Sequence, residues 1–233
     1  MLLTTSNPKT QKGVKLGYLT AIQHFAPSKL SGINVCEHAT PQCIRFCLNK
    51  AGRGGIVKKG EATNAIQKAR IRRTRLFLDH PLVYLGKLIK EITAHVKKAQ
   101  KHDLKPAVRL NGTSDIAWEN ECASIFWRFE NVQFYDYTKD FKRMQRFLKG
   151  PWPTKNYHLT FSRSELNDAQ CDWVIKNGGN VAVVFDTVPE TYKGKPVLNG
   201  DDSDLRFLDT HQYIGLTAKG KLARSDSSFK LEA

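Results

Sequence analysis

The strongest constraint on the fold is a recurring pattern in the second half of the chain, short apolar runs each closed by polar residues. Ala107-Val108-Arg109-Leu110 ends in Asn111-Gly112-Thr113-Ser114-Asp115, and Val132-Gln133-Phe134-Tyr135 ends in Asp136-Tyr137-Thr138-Lys139. Tyr157-His158-Leu159-Thr160-Phe161 runs into Ser162-Arg163-Ser164-Glu165, Val181-Ala182-Val183-Val184-Phe185 into Asp186-Thr187, and Tyr213-Ile214-Gly215-Leu216-Thr217 into Ala218-Lys219-Gly220. Runs this short suit strands and are too brief for stable helices. Helical patterns over 118–129, 140–148 and 164–177 follow the first three runs, and this alternation predicts parallel βα units.

The first half supplies one more strand, Leu19 to Ala26, closed by Pro27. Helical spacing then runs from Glu61 to Leu78, stops at His80-Pro81, and resumes from Leu82 to His102 with Leu85, Leu88, Ile89, Ile92 and Val96 on one face. Residues 1–18, with Lys9, Lys12 and Lys15, read as a polar basic arm. The expected fold is a single α/β domain over 1–233. It is a complete or partial (β/α) barrel with a three-cysteine loop after the first strand; an open doubly wound sheet is the alternative. Both architectures put ligands at the carboxyl ends of the strands, where Asp115, Asp136, Lys139, Arg163 and Asp186 fall.

Between the first strand and the first long helix, Cys36, Cys43 and Cys47 place three thiols within 12 residues. Thiolates are soft ligands suited to zinc and iron–sulfur clusters, and three protein ligands leave one coordination position open. His38 offers a fourth ligand that would close the site as structural zinc. Cys122 and Cys171 sit alone on helical patterns and read as small buried hydrophobes. The stretch Gly52-Arg53-Gly54-Gly55 allows backbone amides to approach an anion.

Charge points to a partner. The 37 Lys and Arg against 22 Asp and Glu give a net charge of +15, which opposes compaction and suits a polyanion. Arg53, Arg70, Arg72, Arg73 and Arg75 are the expected nucleic-acid contacts, with DNA favoured over RNA. Trp118, Trp127, Tyr135, Tyr137 and Trp152 are candidate stacking faces, and Trp152, between two prolines, is the one expected at the surface. No run reaches the roughly 18 apolar residues of a membrane span, and the start lacks a signal peptide's apolar stretch. A reducing cytoplasm is the expected compartment.

Asn7-Pro8-Lys9-Thr10-Gln11-Lys12-Gly13, Leu16-Gly17-Tyr18, Asn34-Val35-Cys36, Cys43, Cys47-Leu48-Asn49 and Ala51-Gly52-Arg53-Gly54 resemble the phage gene-product-eighty-eight family. Arg109 to Asp115 with Trp118-Glu119 extends the resemblance over most of the chain. It implies a phage or mobile-element origin. More distantly, the three-cysteine loop after the first strand resembles radical S-adenosylmethionine enzymes, although the gaps between cysteines are longer here. That resemblance implies a [4Fe–4S] cluster on Cys36, Cys43 and Cys47, with S-adenosylmethionine as cofactor. It also matches Thr113-Ser114-Asp115 and Glu119 to a second-strand motif, and Tyr137-Thr138-Lys139 to a later strand end. A second distant resemblance is to the transglycosylases that exchange guanine for a 7-deazaguanine, which would make Asp115 and Asp186 nucleophile and base, with zinc as the metal.

Three functions follow. The first is an iron–sulfur enzyme of radical type that modifies a base in DNA or a nucleotide. The second is a zinc-bearing base-exchange enzyme, and the third a non-enzymatic zinc-containing DNA-binding protein. Under the first, Asp115, Glu119, Lys139 and Asp186 are the candidate catalytic residues. Asn111, Gly112, Ser114 and Asp136 are the candidate cofactor contacts.

Overall fold

The computed structural model describes residues 1–6, 8–210 and 212–232. The chain opens with β1 (Leu3–Thr4), α1 (Pro8–Val14) and β2 (Tyr18–Gln23). The expected arm is therefore part of the fold. Leu2 and Leu3 are buried, their amides donate to the Glu91 carboxylate at 2.7–2.8 Å, and β1 pairs antiparallel with β2.

After β2 come α2 (Pro41–Arg45), α3 (Ala65–Asp79), α4 (Pro81–Lys101) and β3 (Lys105–Arg109). The first long helix starts later than its spacing suggested because Asn64 caps it, accepting from the Gln67 amide at 2.9 Å. His80 ends α3 and Pro81 opens α4 at its first position, where a missing N–H does no harm. The single helix expected over 118–129 is two, α5 (Trp118–Glu121) and α6 (Ser124–Arg128), because Cys122 leaves helical geometry at φ −159°.

Next follow β4 (Gln133–Thr138), α7 (Phe141–Lys149), β5 (Tyr157–Ser162), α8 (Asp168–Lys176) and β6 (Val181–Phe185). A hairpin missed by the sequence reading, β7 (Thr191–Tyr192) and β8 (Lys195–Asn199), precedes β9 (Tyr213–Thr217) and β10 (Lys230–Leu231). Its turn residues Lys193 and Gly194 both have positive φ, 49° and 73°, the twist that closes a two-residue hairpin.

The strands form one mostly parallel sheet ordered β1-β2-β3-β4-β5-β6-β9-β8-β7, with β10 added alongside β6. From β2 to β6 each strand lies beside the next in the chain, all parallel, and β9 continues the series. The ladder does not close on itself.

Period-two alternation divides the sheet into two chemistries. Ala21, Val108, Phe134, Leu159, Phe161, Val181 and Val183 pack against the helices in the main apolar core. The opposite face carries Thr20, Ala107, Arg109, Tyr135, Tyr137, His158 and Thr160, and the segment around Leu205 and Phe207 packs over its lower part. There Arg109 pairs with Asp204 at 3.0 Å and lies over the Tyr137 ring. Burial pushes His158 down to about 4, so it is neutral at physiological pH.

On the helix side, one polar network crosses the core. Asp136 is fully buried and accepts from the Asn111 amide (2.6 Å), Asn111 Nδ2 (3.1 Å) and the Tyr157 hydroxyl (2.7 Å). Arg143, also buried, donates to Glu119 (2.8 and 2.9 Å), Asp115 (3.3 Å) and the Tyr157 oxygen (2.6 Å). Removing the guanidinium strands two carboxylates out of water. Arg143→Ala is expected to lose about 3–5 kcal/mol in urea unfolding; a loss below about 1 kcal/mol would show that the network does not hold the fold.

Candidate active site at the carboxyl ends of the strands

The long connection from β2 to α3 carries the cysteines, and neighbouring strand ends hold it in place. The Asp115 amide donates to Val35 O at 2.9 Å, and Cys36 Sγ donates to Thr113 O at 3.7 Å while the Ser28 amide points at it from 3.4 Å. Gly112 permits this contact, since a Cβ there would sit 2.4 Å from Gln23 O. α2 is capped by Thr40, whose Oγ1 accepts from the Cys43 amide and donates to Glu165 at 2.9 Å. The same carboxylate accepts from the Gln42 amide at 3.3 Å, so a residue from the β5 loop clamps the cysteine helix. Beyond Cys47, Arg70 donates to Asn49, and Gln67 donates to Gly54 O at 2.8 Å.

The result is a cavity of about 280 Å³ lined by Cys36, Cys43 and Cys47. Its other walls come from the ends of β3, β4, β5, β6 and β9, including Asn111, Asp115, Lys139, Arg163 and Lys219. It opens on the sheet face opposite the helices, where Arg109, Tyr137, Ala182, Val184 and Leu216 point.

Burial pushes the Cys36 thiol up to about 12, with Cys47, Asp115 and Cys43 adding to the rise. Burial also raises Cys47, helped by Cys43 and opposed by the nearby Arg70 and Lys139 cations. Ionising neighbouring thiols in a desolvated wall would set like charges beside one another, and a bound cation would relieve that repulsion. Among the described residues, no three His, Cys, Asp or Glu side chains are gathered closely enough to hold an ion; the thiols share a cavity rather than a point.

The predicted residues divide. Asn111, Gly112, Ser114, Asp115 and Lys139 line the cavity. Asp115 is engaged by Arg143 and by the Lys139 amide at 2.8 Å, and the Lys139 ammonium stands 5.7 Å from the Phe229 ring centroid. Three carboxylates expected at the site lie off it. Strand alternation turns Asp136 to the helix side, where burial raises its pKa to about 6 against its hydrogen bonds from Tyr157 and Asn111. Glu119 follows a non-helical stretch, so its four-residue spacing from Asp115 is not a helical turn, and it is buried on Arg143. Asp186 pairs with Lys230 at 2.5 Å, drawn aside by the pairing of β10 with β6. His38 faces Asp140 at 3.5 Å and does not line the cavity, so it is not placed as a fourth ligand.

The arginine patch also divides. Arg70 braces Asn49, Arg73 donates to Met1 O and His24 O, and Arg75 pairs with Asp79. Arg53 and Arg72 are exposed. Trp118, a candidate stacking face, is a core residue, buried among Phe25, Phe77 and Tyr84. Trp152 is half-buried against Phe147, and the exposed tryptophan is Trp127, at 57%. Cys171 is buried and Cys122 packs on the core, as expected of small hydrophobes.

Glu165 and Lys219 were not singled out from the sequence. Glu165 acts on a partner 125 positions away, and no local pattern announces such a contact.

The fold and cavity define a mixed α/β protein with a thiol-lined recess at the carboxyl ends of a parallel sheet. The Gene product 88 family model matches residues 1–231, and the chain belongs to that phage gene-product family. No curated protein and no solved structure matches it. Among the described residues, no helix is long and apolar enough to cross a membrane.

Thr40→Ala removes the cap of α2 and one arm of the Glu165 clamp. The amides of residues 42–45 are expected to exchange roughly fivefold faster, from a local loss of about 1 kcal/mol. Unchanged exchange would mean that the clamp does not order the cysteine helix.

Proposed function

We propose that Cys36, Cys43 and Cys47 hold one iron–sulfur cluster, and that the cavity is the active site of an enzyme modifying a nucleic-acid base. The observation that carries the reading is the convergence of all three thiols on one cavity at the ends of six successive parallel strands. Strand order β2 to β6 with β9 supports a partial (β/α) barrel with its ligand site at this rim. Three soft donors, with His38 turned away to Asp140, fit a cluster that keeps one open position. When bound, such a cluster supplies one-electron chemistry to a cofactor such as S-adenosylmethionine.

The protein's own groups then divide the work. Lys139 and Arg70 offset thiolate charge at Cys47. Among the described residues, Lys139 pairs with no carboxylate and stands near the Phe229 ring, so its ammonium is able to bind an anion. Asp115, fixed by Arg143 and the Lys139 amide, presents an oriented acceptor to an amine or hydroxyl. Arg163 is tied to Asp168 and to the carbonyls of Ser228 and Phe229, so it braces the wall.

The test is anaerobic reconstitution with iron and sulfide. A brown protein absorbing near about 400 nm is expected, with three thiolate-bound irons of four. Cys36→Ala, Cys43→Ala and Cys47→Ala should each lose most of the iron. A colourless protein holding zinc on the same three residues would replace the cluster with a zinc centre. Full metal retention in any single variant would overturn the shared site.

A further inference from the structure

Beside the thiol cavity lies a second recess, a solvent-open groove of about 750 Å³. Arg45 and Lys50 wall it from the cysteine segment, and Lys221 and Arg224 from the turn after β9. Among the described residues, no acidic side chain lines it. Among the described residues, none of the four cations makes an ion pair or a hydrogen bond; Arg45 only lies 5.1 Å from the Phe46 ring centroid. Some other surface cations are paired, as in Lys193 with Asp172, Lys219 with Asp201 and Arg75 with Asp79, and others such as Arg72, Lys97 and Lys101 stand exposed along helices; these four are set apart by walling one recess together. Four unpaired like charges around one recess repel each other, and a polyanion is the partner that relieves this.

Backbone and ring geometry narrow the partner further. Gly52 and Gly220 line the groove with φ of +54° and +63°, leaving backbone unshielded by side chains where a phosphate would approach. Phe46 lines both the groove and the thiol cavity, so its ring stands at the doorway between them. The cavity beyond, about 280 Å³, has room for one base and none for a paired duplex.

We propose that the groove is a track for a single nucleic-acid strand. Arg45, Lys50, Lys221 and Arg224 hold its phosphates, and Phe46 stacks the base offered to the thiol cavity. The assignment of that strand as substrate rests on the function proposed above; its binding needs no cluster.

The test uses metal-free full-length protein and labelled oligothymidine and oligouridine of about 15 nucleotides, read by fluorescence anisotropy across a salt series. Both strands should bind, because the contacts are to shared phosphates, and more tightly than a duplex of equal length. Lys221→Glu with Arg224→Glu should weaken binding by on the order of tenfold or more. The same pair should flatten the log–log salt slope by about 1.4, two contacts at roughly 0.7 each. Phe46→Leu should weaken binding several-fold without changing the slope. Lys97→Glu with Lys101→Glu, an equal charge change on exposed α4 positions, should do little. Circular dichroism melting confirms that each variant folds. A groove variant that binds like wild type, an equal loss in the α4 control, or tighter binding of duplex overturns the proposal. Intact strand binding by a protein that takes up no iron would instead leave the groove standing and remove the cluster.

Discussion

The burial of Asp136 beneath the strand ends governs the geometry of everything above it. Its carboxylate accepts from both Asn111 donors and from Tyr157, and Tyr157 accepts in turn from Arg143. A buried carboxylate without such partners would be driven to protonate or to unfold its surroundings. Because Asn111 is fixed, the loop that follows it is fixed. Asn111 Oδ1 accepts from Ser114 and from the Ile116 amide, and Asp115 then reaches Val35 at the base of the cysteine segment. The rigidity of the thiol wall is thus borrowed from a network on the far side of the sheet.

Charge is arranged with equal economy. Cations inside the fold are paired or stacked: Arg109 with Asp204, Arg143 with Glu119, and Arg163 with Asp168. Near the thiols, Lys139 and Arg70 are placed where thiolate charge would develop. At the groove by the doorway, Arg45, Lys50, Lys221 and Arg224 wall one recess. The net +15 is thus divided between cations paired inside the fold and cations exposed on its surface, four of them around one groove.

Much of the sheet was legible in the sequence because its strands are short apolar runs closed by polar residues. The runs at Val181–Phe185 and Tyr213–Thr217 match β6 and β9 residue for residue. The β7–β8 hairpin was missed because its strands are mostly exposed and carry little apolar signal. The amino-terminal arm was misread because its buried residues, among them Leu2, Leu3 and Thr10, form no sustained apolar run, and Leu2 and Leu3 are held by Glu91 from α4. At the site, adjacency of Asp115 and Lys139 to the cysteines followed from strand-end logic. Asp136 did not, because the alternation that faces Tyr137 to the cavity necessarily faces Asp136 away. Glu165 and the groove cations depend on contacts between distant segments, which spacing along the chain does not encode.

The most direct test of a shared thiolate centre is anomalous diffraction at the iron edge from crystals of anaerobically reconstituted protein. One compact peak bonded to Cys36, Cys43 and Cys47 Sγ, at about 2.3 Å as for metal–thiolate bonds in general, is expected, with His38 still directed at Asp140. A peak reaching only two of the thiols, one completed by His38, or no bound iron would contradict it.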